Sequence, residues 1–462
     1  MRSEVNLQLS KVVVIFFAIT VAVLAFLPIN NYFRNSTKDY AKWFWVGQTV
    51  LEGGDIYAPR GDGTFQFMYP PTAAVLFAVP SYLGELPLII VLVLLYLVAW
   101  IASLVLSVSL AVGTAGWHRP LLYLVPGVCC LPYVIENFLL GQPNLLLLAF
   151  MLAAFVCLRS GKEWSAGALV ALASAIKAFP VLTIGYLVYR KRWKATISTL
   201  AFLILLLVVV PTPFRGIGRN LDDLNTWTQG MLRYDAESIS QREQRGFSWS
   251  NHSLVAVAHR LLRPVNAHRK RDETLLVNVA DIDFKYVTAA IVLTGLGLCL
   301  FYILCMPRQR DRTNLSDAFE YAMLLLLILI FTPLAFTYFF VWLLYPVVLV
   351  LHLVLRAPAR SRQRVRRWVW FWACIVLLAL TLPLTALRPV QAAGSMLLTC
   401  LLLFVGIGWN LRVAALRPAA SPVGNQPVTN TGGPFQDAID LGRADPEERN
   451  LPAITPSPPN TK

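Results

Sequence analysis

Long apolar segments alternate with short polar segments along most of the chain. Continuous apolar runs such as 86–112 and 121–140 recur, each bounded by charged residues, Pro or Gly. A helix that crosses a bilayer needs about 20 consecutive apolar residues. Strands of a membrane barrel would instead alternate apolar and polar positions. The pattern therefore predicts an all-α polytopic membrane protein, with about twelve transmembrane helices in residues 1–411.

Shorter apolar segments predict helices that do not each cross the membrane. Segment 72–83 is too short for a span, and Pro70 and Pro71 open it, where proline is well tolerated at the start of a helix. We expect this helix to lie in the outer interface. Segments 165–176 and 180–189 predict a hairpin of two short helices with Lys177 at its apex.

The distribution of basic residues predicts the topology. The chain carries 40 Lys and Arg against 25 Asp and Glu, a net charge of +15. A nucleic-acid binder also has such a charge, but here the basic residues cluster in short segments such as 190–194 and 356–367. Positive residues of this kind mark cytoplasmic loops. We therefore expect no nucleic-acid partner, a cytoplasmic N-terminus and two polar outer loops, about 31–71 and 211–285.

The two ends of the chain are predicted to be cytoplasmic. The first apolar run resembles a signal peptide, but no small-x-small cleavage pattern follows, so a retained first span is expected. Residues 412–462 are rich in Pro, Asn, Thr and Ala and have few large apolar side chains. This composition predicts a disordered tail. The whole chain is thus expected to be a multi-pass protein of the plasma (inner) membrane.

Lys177 is the most informative charge because it interrupts an apolar segment. An ionisable residue inside a membrane indicates function, although a lysine can also reach the interface with its long side chain. At the apex of a hairpin its ammonium group suits an anion such as a phosphate. Gln142 and Asn144 occupy another predicted outer turn. Their amides suit sugar hydroxyls, or they simply form the turn.

The outer loops supply the remaining candidates. Asp39 follows the first span closely and is either a solvated acid or a cavity residue. In the larger loop, Trp249, Asn251 and His252 combine aromatic and hydrogen-bonding side chains, and His252 either assists a leaving phosphate or is a bystander. All seven cysteines lie in apolar segments, and no metal or nucleotide motif has the required context. We expect no metal and no cofactor.

A set of short motifs follows in order along the chain. The motifs are Asp39-Tyr40, Gly47-Gln48, Gly54-Asp55-Ile56-Tyr57, Tyr69-Pro70-Pro71, Gly141-Gln142-Pro143-Asn144, Ala166-Gly167-Ala168-Leu169 and Lys177-Ala178-Phe179-Pro180. Taken together, they resemble glycosyltransferase family 87 over about residues 10–350. The resemblance implies the C-type glycosyltransferase fold and a polyprenyl-phosphate sugar donor, typically mannose. Phe179 is a minor departure, because a small residue or threonine is common before that proline.

The resemblance implies a role for each candidate residue. Asp39 matches the family's first-loop aspartate and is expected to be the catalytic base of an inverting transfer. The leaving phosphate needs positive charge rather than a strong acid, so Lys177, and second His252, are expected to bind it. The acceptor would be a glycolipid or glycan of the cell envelope, reached from the outer face. Expected substrate contacts are Tyr69, Gln142, Asn144, Trp249 and Asn251.

Two other functions fit the same sequence pattern. A lipid-linked sugar transporter or flippase would also place Lys177 in a cavity, although no internal repeat is evident. An O-antigen polymerase or ligase is also a multi-span protein, and it relies on arginines of a large outer loop. The chain has such arginines at Arg215, Arg219, Arg233, Arg242 and Arg245.

Overall fold

The computed structural model describes residues 2–58, 67–113, 119–231, 246–270, 272–358, 361–382 and 384–416, and this part of the chain is helical. Two short 3-10 helices, Phe179–Leu182 and Thr337–Leu343, interrupt the α-helices near the centre of the molecule. In chain order, the α-helices are α1 (Arg2–Phe33), α2 (Asp39–Leu51), α3 (Pro71–Ser81), α4 (Glu85–Val112), α5 (Leu121–Leu140), α6 (Asn144–Arg159), α7 (Glu163–Ile176), α8 (Thr183–Tyr189), α9 (Trp193–Ile204), α10 (Thr212–Arg215), α11 (Ile217–Met231), α12 (Leu254–Leu262), α13 (Phe284–Cys305), α14 (Asn314–Phe331), α15 (Leu344–Arg356), α16 (Arg362–Ala379), α17 (Arg388–Ala392) and α18 (Ser395–Leu416).

Within the described residues, 8 helices are long and apolar enough to cross a membrane. The membrane character predicted from the apolar runs is therefore confirmed, whereas about twelve crossings stay a prediction. The difference comes from α6, α7 and α8, which are shorter than a full span, and from α16, whose first turns carry several arginines. The candidate spans are Leu9–Phe33, Glu85–Val112, Leu121–Leu140, Trp193–Arg215, Phe284–Cys305, Asn314–Phe331, Thr337–Arg356 and Ser395–Val413.

The helices differ in how much of their apolar surface is covered by protein. Helices α14 and α15 are buried almost along their whole length, and Phe155 of α6 stacks on Tyr321 of α14 with ring centroids 4.3 Å apart. Helices α1, α9 and α13 instead expose rows of apolar side chains, including Ile15 and Leu293. Exposed continuous apolar faces of this kind suit contact with lipid rather than water.

The polar segments predicted as loops contain helices. Helix α2 forms within 31–71 because Tyr40, Trp43, Val46 and Val50 recur on one face and bury it. Helices α10, α11 and α12 lie within 211–285, so this segment is partly helical where it is described. These helices were not predicted because each is shorter than a membrane span and lies among polar residues.

The predicted short helix 72–83 is observed as α3 and packs closely against α2. A Cβ atom added to Gly47 of α2 would lie 2.2 Å from the Oγ atom of Ser81. The absence of a side chain at Gly47 therefore allows the two helices to touch. Most residues of α3 are buried by protein, with Thr72 and Ala74 fully covered.

A single turn of π-helix, Leu205–Val209, extends α9 toward α10. Wider turns leave carbonyl oxygens without the usual i+4 partner. Side chains from other helices bind these oxygens: the Thr72 hydroxyl donates to Leu206 O at 2.7 Å, and the Asn220 amide donates to Leu207 O at 3.0 Å. The π turn thereby attaches α3 and α11 to the same point.

A buried ion pair connects α8 to α14. The guanidinium group of Arg190 donates to both carboxylate oxygens of Glu320, and also to Pro307 O at 3.0 Å. Tyr186 donates its hydroxyl to the same carboxylate at 3.1 Å. Because a buried carboxylate is stable only when it is paired, these contacts define where α8 lies.

The first residues of the predicted tail, 412–416, are helical. Helix α18 continues through Arg412 to Leu416. Residues 417–462, which make up the rest of the predicted tail, lie outside the described residues. The same is true of Arg233, Arg242 and Arg245.

Candidate active site

A cavity of about 330 Å³ lies where four chain reversals meet. These are the junctions between α1 and α2, between α5 and α6, after α7, and after α14. Asp39, Tyr69, Gln142 and Lys177 are on its wall, and the remaining wall is mainly aromatic and aliphatic. The structure thus brings together four of the residues that the sequence singled out.

Asp39 is the first residue of α2. The preceding Lys38 has φ +54°, which turns the chain sharply at the end of the first span. A carboxylate in the first turn of a helix is favoured by the helix dipole. Its Oδ1 atom accepts a hydrogen bond from Lys42 Nζ at 2.7 Å, and its side chain remains 22% exposed. Asp39 is therefore an oriented acid that the cavity can still reach.

Gln142 connects the acid to the lysine. Its Nε2 atom donates to Asp39 Oδ2 at 2.6 Å, and its Oε1 atom accepts from the hydroxyl of Tyr69 at 2.8 Å. The ammonium group of Lys177 donates to the same Oε1 atom at 3.3 Å. Since donors approach Oε1 and an acceptor faces Nε2, the orientation of the amide is determined by its neighbours.

Gly141 holds the turn that carries Gln142. Its φ of +70° belongs to the left-handed region, where a side chain is strained, and an added Cβ atom would meet the Tyr40 ring at 3.1 Å. Its carbonyl oxygen accepts from Trp43 Nε1 at 2.7 Å and from the Tyr96 hydroxyl at 3.1 Å. Helices α2 and α4 therefore hold this turn from two sides.

Lys177 ends α7 in an extended conformation, with φ −149° and ψ 122°. Its ammonium group lies 4.0 Å from the ring centroid of Phe339 and 5.1 Å from that of Tyr69. It also donates to Asn144 Oδ1 at 3.1 Å. Aromatic faces and amide oxygens both stabilise a cation that has left water. The predicted apex position is confirmed, and the ammonium group reaches the cavity.

Asn144 lies behind Lys177 and is fully buried rather than part of the cavity wall. Its Nδ2 atom donates to Asn137 Oδ1 at 3.2 Å, and Asn137 in turn donates to Tyr338 O at 2.7 Å. Trp342 binds the Asn144 carbonyl oxygen at 3.0 Å. In this arrangement Asn144 supports the lysine and does not face the cavity.

Asn251 and Trp249 lie away from the cavity wall. Asn251 is fully buried, donates to Pro333 O at 3.1 Å and accepts from Ala335 N at 3.0 Å. It thereby supports the turn whose residues form one side of the cavity. The guanidinium groups of Arg269 and Arg388 lie over the Trp249 ring, with their central carbons 5.6 Å and 5.4 Å from the ring centroid.

His252 does not line the cavity either. Its side chain is 2% exposed and lies beside the Phe340 ring, with the ring centroids 5.5 Å apart. Burial, reinforced by the charges of Arg260 and Arg269, lowers the pKa of His252 from 6.5 to about 3. The imidazole is therefore neutral near pH 7, and it adds no positive charge for a phosphate.

Several cavity residues were not anticipated from the sequence. Trp43, Trp227, Tyr338 and Phe339 form much of the wall. Thr332-Pro333 interrupts a long apolar stretch shortly before Tyr338 and Phe339, and this break was the available signal for a turn there. Trp227 comes from α11, which was predicted to be a loop.

Fold and site together define a class: a membrane protein, helical where it is described, whose cavity brings a carboxylate and a half-buried lysine onto one wall. The chain belongs to glycosyltransferase family 87, whose model matches residues 67–333. The match is narrower than the predicted 10–350. It includes Tyr69, Gln142 and Lys177 but begins after Asp39.

Similar proteins are known from mycobacteria. One from Mycobacterium tuberculosis, a polyprenol-phosphate-mannose-dependent alpha-(1-2)-phosphatidylinositol mannoside mannosyltransferase, is 27% identical over 34% of this chain and 39% of its own length. A pentamannoside mannosyltransferase of M. tuberculosis is 35% identical over 32% of this chain and 35% of its own. A mannoside mannosyltransferase of Mycolicibacterium smegmatis is 29% identical over 34% and 38%. No solved structure matches the chain.

Burial of His252 is expected to make the fold sensitive to acid. The unfolded chain gains the histidine proton near pH 6.5, whereas the folded pKa is about 3. This contribution to stability is therefore full above pH 6.5 and declines between pH 6.5 and 3, by up to about 1.4 kcal/mol per pH unit. We expect the melting temperature in detergent to fall between pH 7.5 and 5, and His252→Gln to flatten the fall. An identical pH profile for both proteins would contradict this expectation.

Proposed function

We propose that this protein is an inverting glycosyltransferase that moves a hexose, mannose in the first instance, from a polyprenyl-phosphate donor to a cell-envelope acceptor. The observation that carries the proposal is the arrangement of Asp39, Gln142 and Lys177 on one cavity wall. The amide of Gln142 contacts the carboxylate of Asp39, the proposed base, through its nitrogen. Through its oxygen it contacts the ammonium group of Lys177, the proposed phosphate-binding cation. Membership of family 87 and the printed activities of the mycobacterial relatives support it.

Asp39 is the proposed catalytic base. The acceptor hydroxyl attacks the anomeric carbon, its proton passes to the Asp39 carboxylate, and the bond between that carbon and the phosphate oxygen breaks. Two hydrogen bonds occupy the carboxylate, from Lys42 and Gln142. A carboxylate has about four acceptor positions, so positions remain for the incoming hydroxyl.

Lys177 is the proposed contact of the leaving phosphate. Negative charge grows on the phosphate as the glycosidic bond breaks, and a fixed ammonium group stabilises it without moving. The aromatic rings beside Lys177 shield it in part from water, which strengthens this interaction. With His252 neutral and buried, the phosphate role is proposed for Lys177 alone.

The acceptor is proposed to be a glycolipid, because the relatives are named for phosphatidylinositol mannosides. A glycan of the envelope would present the same hydroxyl chemistry. We further propose a C-type glycosyltransferase fold of about twelve crossings in the plasma (inner) membrane, with both termini cytoplasmic and the cavity facing outside. The basic segments between the spans support this orientation.

Replacement of the base tests the mechanism directly. We expect Asp39→Asn to lower kcat for mannose transfer by at least about a hundredfold, because the amide cannot accept the hydroxyl proton. Donor binding should be retained. Asp222→Asn, which changes an exposed acid of α11, is the matched control. Transfer at the wild-type rate by Asp39→Asn, assayed with polyprenyl-phosphate mannose, would remove Asp39 from the mechanism.

Replacement of the lysine tests phosphate binding. A charge-assisted hydrogen bond is worth about 1.5–3 kcal/mol, so Lys177→Met should raise the donor Kd roughly 10- to 150-fold. Titration with polyprenyl phosphate lacking the sugar measures this effect without turnover. Lys194→Met, at an exposed position of α9, should bind normally. Equal affinity in the Lys177→Met protein would argue against a phosphate contact.

Gln142 is proposed as a positioning residue, and its role is tested by the pH profile. Gln142→Glu places a second carboxylate beside Asp39, and like charges raise the pKa of a carboxyl group. The acidic limb of kcat/KM should therefore shift to higher pH, with activity partly recovered in alkaline buffer. Gln142→Ala should lower activity without that shift. A Gln142→Glu profile parallel to the wild type would reduce Gln142 to a purely structural residue.

A further inference from the structure

A second, apolar groove of about 250 Å³ lies between α8, α13 and α14. Gly185 and Tyr189 of α8 form one side, Ile303 of α13 a second side and Leu327 of α14 a third. Its length follows from α8. From Leu182, just before the helix, to Tyr189 there are seven steps of about 1.5 Å each, so the groove runs for about 10 Å along that helix.

The groove adjoins the cavity that contains Lys177. Leu182 and Phe331 belong to the walls of both. Lys177, on the cavity wall, precedes Leu182 by one short 3-10 segment. A molecule with its anionic group at Lys177 therefore has an apolar channel directly beside that group.

The lining of the groove is mainly hydrocarbon. Two of its three tyrosine hydroxyl groups are engaged at Glu320, because Tyr186 donates to Glu320 Oε2 at 3.1 Å and Tyr302 donates to Glu320 O at 2.9 Å. The third tyrosine, Tyr189, is exposed. An occupant therefore gains mainly from burial of apolar surface.

We propose that this groove binds the first isoprenoid units of the donor's polyprenyl chain, next to the phosphate. The inference rests on the proposed function for the identity of the head group. It goes beyond that function by assigning the lipid chain to a particular crevice and by making Gly185 the residue that determines its width. An acyl chain of a bilayer phospholipid is the competing occupant.

Gly185 allows a clean test because its missing side chain points into open space. A Cβ atom added at Gly185 meets nothing within 4 Å, so a larger side chain enters the groove without displacing protein atoms. Gly297 of α13 also has nothing within 4 Å, but it lies outside the groove lining. Gly185→Leu and Gly297→Leu therefore form a matched pair of helical glycine substitutions.

The experiment uses the full-length protein in detergent and a prenyl phosphate that carries a diazirine on its second isoprenoid unit. On irradiation, we expect labelling of peptides from α8, α13 and α14. Gly185→Leu should reduce this labelling at least fivefold, whereas Gly297→Leu should leave it unchanged. In turnover assays Gly185→Leu should raise the donor KM at least tenfold and leave the acceptor KM as it is.

Several results would overturn the proposal. Labelling of other helices, or labelling that persists in Gly185→Leu, would place the chain elsewhere. Competition by phosphatidylglycerol as strong as that by unlabelled polyprenyl phosphate would assign the groove to a bilayer lipid. If the wild-type protein is labelled in the groove yet transfers no sugar, the proposed function fails while the assignment of the groove stands.

Discussion

The site depends on one constraint, which is that the charge of Lys177 must be paired within an apolar interior. An ammonium group in such surroundings is stable only with polar or aromatic partners around it. Asn144 and Gln142 of one turn and Phe339 of a distant segment supply them. The same contacts hold the turns of the cavity together. Its geometry is therefore largely the arrangement that satisfies one half-buried cation.

The sequence predicted the helices best where the signal is local. The run 121–140 is observed as α5 with the same bounds, and the run 86–112 is observed as α4, which begins one residue earlier. Continuous apolar segments and the glycine or proline that ends them are properties of neighbouring residues. Alternation of the spans also placed Asp39, Gln142 and Lys177 at one end of the molecule, which is where the cavity forms.

Features that depend on distant parts of the chain were not predicted. Helix α2 was missed because its 13 residues are too few for a membrane span and polar residues flank it, while the α3 surface that covers its buried face comes from another part of the chain. The polar residues 247–253 suggested contact with a substrate. Asn251 instead binds backbone groups of 333–335, since a sequence does not show whether a polar side chain faces solvent or a neighbouring turn. Trp227 reaches the cavity from a segment far along the chain.

The π turn Leu205–Val209 gives an apolar stretch a structural role that its amino-acid composition does not show. Its leucines and valines resemble any lipid-facing sequence, yet its carbonyl oxygens hold Thr72 and Asn220, and hence the helices α3 and α11. One aliphatic residue can replace another in this stretch, but the number of residues in it cannot change. Loss of one position would restore a regular helix, withdraw the acceptors and release the helix that carries Trp227. During evolution, such a segment tolerates substitution far more readily than insertion or deletion.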